Sequence, residues 1–130
     1  MSGTYDLSSE LVAGLDEAGA LLVRAAWCLA QAAHEGQVRN DGVRVIDHVE
    51  GVARNLLRFG PADAELRAAA TLHDVVENTS VPLEEIEARF GPRVARLVDA
   101  VTNRPGEDAE AAALRARDAG ADALLLRLCD

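Results

Sequence analysis

Apolar residues recur at helical spacing over most of the chain. Leu11, Leu15, Leu22, Ala26 and Leu29 keep to one face of a helix that Ser8 or Ser9 caps and that runs to about Ala33. The stretch HEGQVRNDGVR, residues 34–44, holds two glycines, an Asn-Asp-Gly turn and almost nothing to bury, and predicts a loop. A second helix runs from Ile46 to Phe59 and stops at Gly60-Pro61. Asp63 caps a third, which continues through Leu66 and Ala70 to about Glu77. Thr79 to Pro82 breaks the pattern, since proline is tolerated in a first helical turn but not deeper. PLEEIEARFG is then a short helix ended by Gly91, with its acids early, where the helix dipole favours them. Pro92 opens PRVARLVDAVTN, which halts before Arg104-Pro105-Gly106. GEDAEAAALRARDAG and ADALLLRLCD are the last two helices, separated near Gly120. No stretch alternates with period two, and there is neither an internal repeat nor a low-complexity linker. The expectation is an all-α fold, a compact bundle of six or seven helices without a sheet, with residues 1–7 disordered.

Length and composition sharpen this picture. At 130 residues the chain is one domain, 1–130, large enough to bury a core without disulfides. Aromatics make up only 3% of it, so the core must be aliphatic: Leu, Val and Ala, of which Leu and Ala are strong helix formers. The net charge of −9 excludes binding to nucleic acid or anionic membranes through the overall field. It leaves room for an anionic ligand, because a bound cation and a few arginines reverse the sign locally. Cys28 and Cys129 match no zinc or redox spacing and read as two small buried hydrophobes in a reducing compartment. No signal peptide is visible, and no apolar run approaches the roughly 20 residues that span a bilayer. A cytoplasmic protein is expected. Its oligomeric state is left open, a homo-oligomer included.

One segment does not fit a purely structural helix. LHDVVENT, residues 72–79, sets His73 and Asp74 side by side after the apolar LRAAATL, with Glu77 one turn further on. Adjacent helical positions lie about 100° apart, so both side chains can reach one ion, and Glu77 falls on the same face. A buried, unpaired carboxylate is costly, and a divalent cation is one of few partners that offsets the cost. Taken alone, the pair fits a capping or ion-paired couple at a helix end better than a metal site. His48 opens the second helix, and Asp130 sits at the foot of a run of leucines.

The order His…His-Asp…Asp on three separate helices resembles the signature of the HD phosphohydrolase superfamily, an all-α fold that binds a divalent metal through those four residues. AHEGQVRNDGVRVIDHVEGVA is similar to the AHxGQxRxxGxPYixHPxxVA segment of RelA/SpoT-type alarmone hydrolase domains. AAATLHDVVENTSVPLEEIEARFGPRVARLVDAVTN resembles their AALLHDVVEDTxxTxEEIxxxFGxxVAxLVDGVTK stretch, and LLLRLCD their VxxVKLAD. The likeness runs from about Ala33 to the last residue. It implies His48, His73, Asp74 and Asp130 as metal ligands, with Mn²⁺ the usual ion. It implies that Glu77 orients or deprotonates the attacking water and that Asn78 holds the second acid position of the catalytic motif. Arg39 matches a residue that contacts the nucleotide, and Thr102 and Asn103 stand where the family has a pocket-lining Thr-Lys. His34 begins the loop motif without being a ligand and reads as a loop-ordering residue. The reaction implied is removal of the 3′-pyrophosphate from guanosine tetra- or pentaphosphate.

The chain departs from that pattern in three respects. Asn78 replaces an aspartate, and an amide cannot accept a proton. Asn40 and Asn103 replace two basic residues, which leaves Arg44 and Arg104 as nearby candidates to compensate; Val43-Arg44 also replaces the family's Pro-Tyr. The family pattern continues beyond the ligand aspartate with an Arg and a nucleotide-binding Asn, whereas this sequence stops at Asp130. Two alternatives therefore stay open: an HD phosphohydrolase acting on another nucleotide, and a degenerate HD module that binds nucleotide or metal without hydrolysis.

Overall fold

The computed structural model describes residues 7–130, and among these every regular element is helical, apart from a single antiparallel bridge between Val38 and Arg44. The order is α1 (Leu7–Leu11), α2 (Glu17–Ala33), α3 (Val45–Phe59), α4 (Ala64–Leu72), α5 (Val75–Asn78), α6 (Leu83–Phe90), α7 (Pro92–Val101), α8 (Ala109–Ala119) and α9 (Ala121–Cys129). The all-α class is as expected. The count exceeds six or seven because two expected helices are interrupted. No helix among the described residues is long and apolar enough to cross a membrane.

The first interruption divides the expected helix 8–33. Gly14, at φ +78°, leaves the helical region that other residues hold easily, and the Asp16 carboxylate caps α2 by accepting from the Gly19 N–H at 2.8 Å. Arg67 of α4 donates to the freed carbonyls of Leu11 (2.9 Å) and Ala13 (2.7 Å), closing the end of α1. Of the segment expected to be disordered, residues 1–6 lie outside the described residues, and Leu7 is buried as the first residue of α1. The reading of both cysteines as buried also changes: Cys129 is buried, but Cys28 lies on the outer face of α2.

The second interruption falls at His73-Asp74, within the helix expected to reach Glu77. In an unbroken helix the Ala70 carbonyl would receive the Asp74 N–H. Here it accepts from His73 Nδ1 at 2.7 Å, and the chain resumes as the four-residue α5. A smaller difference closes α7 at Val101 rather than Asn103: Thr102 is extended, and Arg115 of α8 takes up the last carbonyls.

Helix α4 is the axis of the bundle. All residues from Leu66 to Leu72 are buried, and α2, α3 and α7 pack around them. Three consecutive alanines make this possible, since small side chains let neighbouring helices close in on every side. Arginines then hold the helix ends in register. Arg93 of α7 grips Asp63 at the start of α4 (2.8 Å), Glu65 (3.2 Å) and Asp122 of α9 (3.0 Å). That pairing holds the Asp63 carboxyl below its ordinary range. At the other end of α9, Arg127 reaches the Val101 carbonyl (3.2 Å), and Asn55 of α3 donates to the Cys129 carbonyl (3.0 Å). The end of α9, and with it Asp130, is thereby fixed against α3.

The junction of α3 and α9 also requires Gly60. A Cβ there would stand 2.8 Å from the Leu56 carbonyl oxygen and 3.3 Å from Leu125 Cδ2. Gly60→Ala is expected to lower the unfolding free energy by about 1–3 kcal/mol, the usual range for overpacking. Urea denaturation followed by circular dichroism measures it, and an unchanged midpoint would contradict the close packing.

Candidate metal centre

The bundle brings together the four side chains that the sequence places on three separate segments. His48, from the first turn of α3, has its Nε2 2.8 Å from Asp130 Oδ1 and 3.9 Å from Asp74 Oδ2. His73 Nε2 lies 3.4 Å from Asp74 Oδ2 and 3.7 Å from Asp130 Oδ1. The two imidazole centroids are 5.6 Å apart. One ligand atom each from His48, His73 and Asp130 falls within 4.8 Å of the others, and the same Asp74 oxygen faces both rings.

Local structure explains this convergence. The bond from His73 Nδ1–H to the Ala70 carbonyl fixes the ring orientation and turns Nε2 toward the carboxylates. Asp74 occupies the N-cap of α5 but makes no side-chain capping bond, so its carboxylate is committed to the cluster rather than to the helix end. His73 is 2% exposed, and its Nε2 has no hydrogen-bond partner. Burial pushes the His73 imidazole down, yet Asp130, Asp74 and the Ala70 carbonyl together outweigh it and raise its pKa above the ordinary value. The imidazoles of His73 and His48 hold the Asp130 carboxyl down at about 2. Two nitrogen donors and two carboxylates, with one nitrogen buried and unsatisfied, fit a divalent cation.

Beside the cluster opens a cleft of about 660 Å³, lined by the 37–41 loop, Val45, His48, Asp74, Glu77, Asn78 and Asn103. Glu77 Oε1 accepts the Asn103 N–H at 2.9 Å, so the turn after α7 holds this carboxylate in the cleft. Asn78 also lines it, and its carbonyl accepts from Gln37 Nε2 (2.9 Å). Because that amide donates, Gln37 Oε1 accepts from His34 Nδ1 at 2.8 Å. His34 is buried at the C-cap of α2, and the bond makes it the loop-ordering residue that the sequence suggested.

The expected substrate residues divide. Arg39 lines the cleft, and its guanidinium has no ion-pair or hydrogen-bond partner among the described residues. Asn103 lines it as well. Arg44 does not: it makes a two-point bond to Asp47 (2.9 Å for each contact) and borders a different groove. Thr102 turns its hydroxyl onto the Val98 carbonyl (2.7 Å) and lies outside the lining. Arg104 pairs with Asp99 at 3.4 Å. Neither Arg44 nor Arg104 replaces the missing positive charge, because each has a carboxylate of its own. Gln37 and Asp41 line the cleft without having been singled out. Gln37 stood at a fixed position of the quoted motif, whereas Asp41 was read only as part of the Asn-Asp-Gly turn.

Fold and site together define an all-α domain with a cluster of His48, His73 and Asp130 that could hold a divalent cation, and with Asp74 beside it. The chain belongs to the HD domain family, whose model matches residues 26–126. It is 44% identical over 80 residues to the guanosine-3′,5′-bis(diphosphate) 3′-pyrophosphohydrolase of Vibrio cholerae, covering 62% of this chain and 11% of that protein. To a protein of Synechocystis with the same name qualified as probable it is 43% identical over 95 residues, 72% of this chain and 12% of that one. To human MESH1, named as a guanosine-3′,5′-bis(diphosphate) 3′-pyrophosphohydrolase, it is 45% identical over 73 residues, 54% of this chain and 41% of that one. The chain thus spans about a ninth of the length of the bacterial relatives and less than half of the human one. Its fold matches a solved structure of a metazoan orthologue of SpoT, described as hydrolysing ppGpp and acting in starvation responses. The TM-score is 0.72 at 28% identity, over 83% of this chain and 65% of that one.

Removing one donor tests the centre. Asp130→Asn keeps the shape of the side chain but loses the charge. It is expected to weaken Mn²⁺ binding by at least the roughly 10–100-fold seen when a group that merely orients a metal ligand is lost. Competition against a fluorescent chelator reads the affinity, and wild-type affinity in the variant would exclude Asp130 as a ligand.

Proposed function

We propose that this HD domain hydrolyses the 3′-pyrophosphate of guanosine tetra- or pentaphosphate, with Mn²⁺ as its cation. The observation that carries the reading is the convergence of His48, His73, Asp74 and Asp130 at the edge of a cleft that also holds Glu77 and Arg39. The names of the similar proteins supply the substrate class. A divalent cation bound by the four donors supplies Lewis-acid polarisation of a phosphoryl oxygen and acidifies water.

The chain's own residues perform the remainder. Glu77 is held through Oε1 by the Asn103 N–H, and its second oxygen has no partner among the described residues. It orients a water molecule and takes its proton as the water oxygen bonds to the phosphorus next to the ribose 3′ oxygen. The bond from that phosphorus to the 3′ oxygen breaks, pyrophosphate departs, and the 3′ oxygen gains a proton, leaving GDP or GTP. Arg39 engages the nucleotide, by forking onto phosphate or by stacking on the base. Asn78, being an amide, donates and accepts hydrogen bonds at its position but carries no proton transfer. A cytoplasmic location goes with this reading, and the two unpaired cysteines fit a reducing compartment.

Glu77 depends on a residue outside the cleft. Arg115 donates to the carbonyls of Asp99 (3.0 Å), Ala100 (3.1 Å) and Thr102 (2.6 Å) and forks onto Glu107 (2.8 and 2.9 Å). These bonds shape the turn that presents the Asn103 N–H, which makes Arg115 a positioning residue. Arg115 lowers the Glu107 carboxyl to about 2 from an ordinary 4.5. A carboxylate depressed in the fold contributes fully above its unfolded pKa, so the pair persists above about pH 4.5 and is lost only as pH falls toward 2.

One observation favours a second reading. Among the residues lining the cleft, Arg39 is the only cation beside Asp41, Asp74 and Glu77, an arrangement that also suits a nucleotide carrying fewer phosphates. A panel of nucleotides assayed for phosphate and pyrophosphate release with added Mn²⁺ separates the two. Turnover confined to less phosphorylated nucleotides favours the second, and no turnover of any nucleotide with metal confirmed bound removes both.

Glu77→Gln is expected to lower kcat by about 10²–10⁴ while metal content stays unchanged. Unchanged turnover would assign the proton transfer elsewhere. Arg115→Met should reduce kcat with little change in KM or metal content, and Arg115→Lys should recover only part of it, because an ammonium cannot serve three carbonyls and a carboxylate at once. A loss that appeared only in thermal stability would reduce Arg115 to a structural staple.

A further inference from the structure

Arg67 is the one buried guanidinium among the described residues, 6% exposed, and it has no carboxylate partner. A guanidinium remains charged in a protein, and a buried charge normally sits against an opposite one. Its two hydrogen bonds, to the Leu11 and Ala13 carbonyls, both use Nη1, while Nε is buried with no partner at all. Capping α1 therefore accounts for part of this side chain and leaves its charge uncompensated. Burial pushes its pKa below the ordinary arginine value, with Asp63 opposing only weakly.

Arg67 borders a groove of about 400 Å³ on the α1–α3–α4 face, completed by Glu10, Ala13, Arg54, Leu57 and Arg58. Three of these six residues are arginines, in a chain whose net charge is −9. Glu10 is the one acid of the lining and is already paired with Arg54, which also holds Glu50 at 3.0 Å. Among the described residues Arg58 makes no ion pair, and it lies 5.3 Å from the centroid of the exposed Phe59 ring. Two guanidiniums are thus free of carboxylates, and Leu57 with Ala13 supplies apolar wall. The groove stands apart from the metal centre, since ten residues of α3 separate Arg58 from His48, roughly 15 Å along the helix.

We propose that this groove binds a small organic anion, a phosphate or carboxylate on an apolar body, with Arg58 and Arg67 facing the anionic head and Leu57 and Ala13 the body. Its volume falls within the range of small-molecule sites, and guanidinium forks match both head groups. Nothing in the proposal depends on the hydrolytic activity.

Phenyl phosphate and benzoate, titrated into metal-free protein held in excess chelator, serve as probes that the metal centre cannot capture through a cation. Either one is expected to shift the Nε–Hε resonances of Arg58 and Arg67 and the Leu57 methyl resonances saturably, and the tighter of the two identifies the preferred head group. Arg58→Gln should weaken that binding about tenfold, whereas Arg39→Gln should not alter it. Phenol, which has the body without the charge, should leave the arginine resonances in place. The proposal fails if neither anion saturates, if phenol acts equally, or if the shifts are confined to residues 37–41.

Discussion

A buried imidazole nitrogen without a partner is a costly thing to build, and most of this fold contributes to placing one. His73 Nε2 is shut away from solvent because its ring is pinned by Nδ1 to the last turn of α4, the most enclosed helix of the bundle. The same pin takes the carbonyl that would have carried the helix onward. The chain consequently turns at Asp74 and restarts as α5, which directs one carboxylate at the imidazoles and sends Glu77 into the cleft. One hydrogen bond of 2.7 Å therefore links helix termination, ring orientation and the direction of the Glu77 carboxylate.

The distribution of positive charge follows a related logic. All thirteen basic residues are arginines, and many serve as staples rather than as ligand binders. Arg93, Arg115 and Arg127 close helix ends or join them, and Arg54 and Arg44 are held by nearby acids. An acidic, aliphatic bundle needs such forks, because helix termini leave carbonyls that no aliphatic side chain can satisfy. The consequence is a cleft in which Arg39 alone carries positive charge. On the proposed function, charge for an anionic substrate would then come chiefly from a bound cation.

Much of this was legible along the chain. Periodicity placed the loop 34–44 and the starts of α3, α4, α6 and α7 within a residue or two, because glycine, proline and capping aspartates act locally. The His48, His73, Asp74 and Asp130 quartet was legible too, as residue types in a familiar order. The breaks at Gly14 and His73 were not. Apolar spacing continues through both, and what ends each helix is a bond made by a side chain in three dimensions: Arg67 on the Leu11 and Ala13 carbonyls, His73 on Ala70. Arg44 and Arg104 looked equally able to reach a substrate, since sequence distance says nothing about which acid an arginine will meet first.

Helical class therefore belongs to the order of residues alone, because it rests on composition and on contacts within one turn, while the four candidate donors were legible only as a resemblance to a family's ordered signature. Which donors meet, which face of Glu77 is held, and which arginines are already occupied depend on groups many tens of residues apart, such as His48 and Asp130. Only packing about α4 brings those groups within hydrogen-bonding reach, so only the folded chain could assign them.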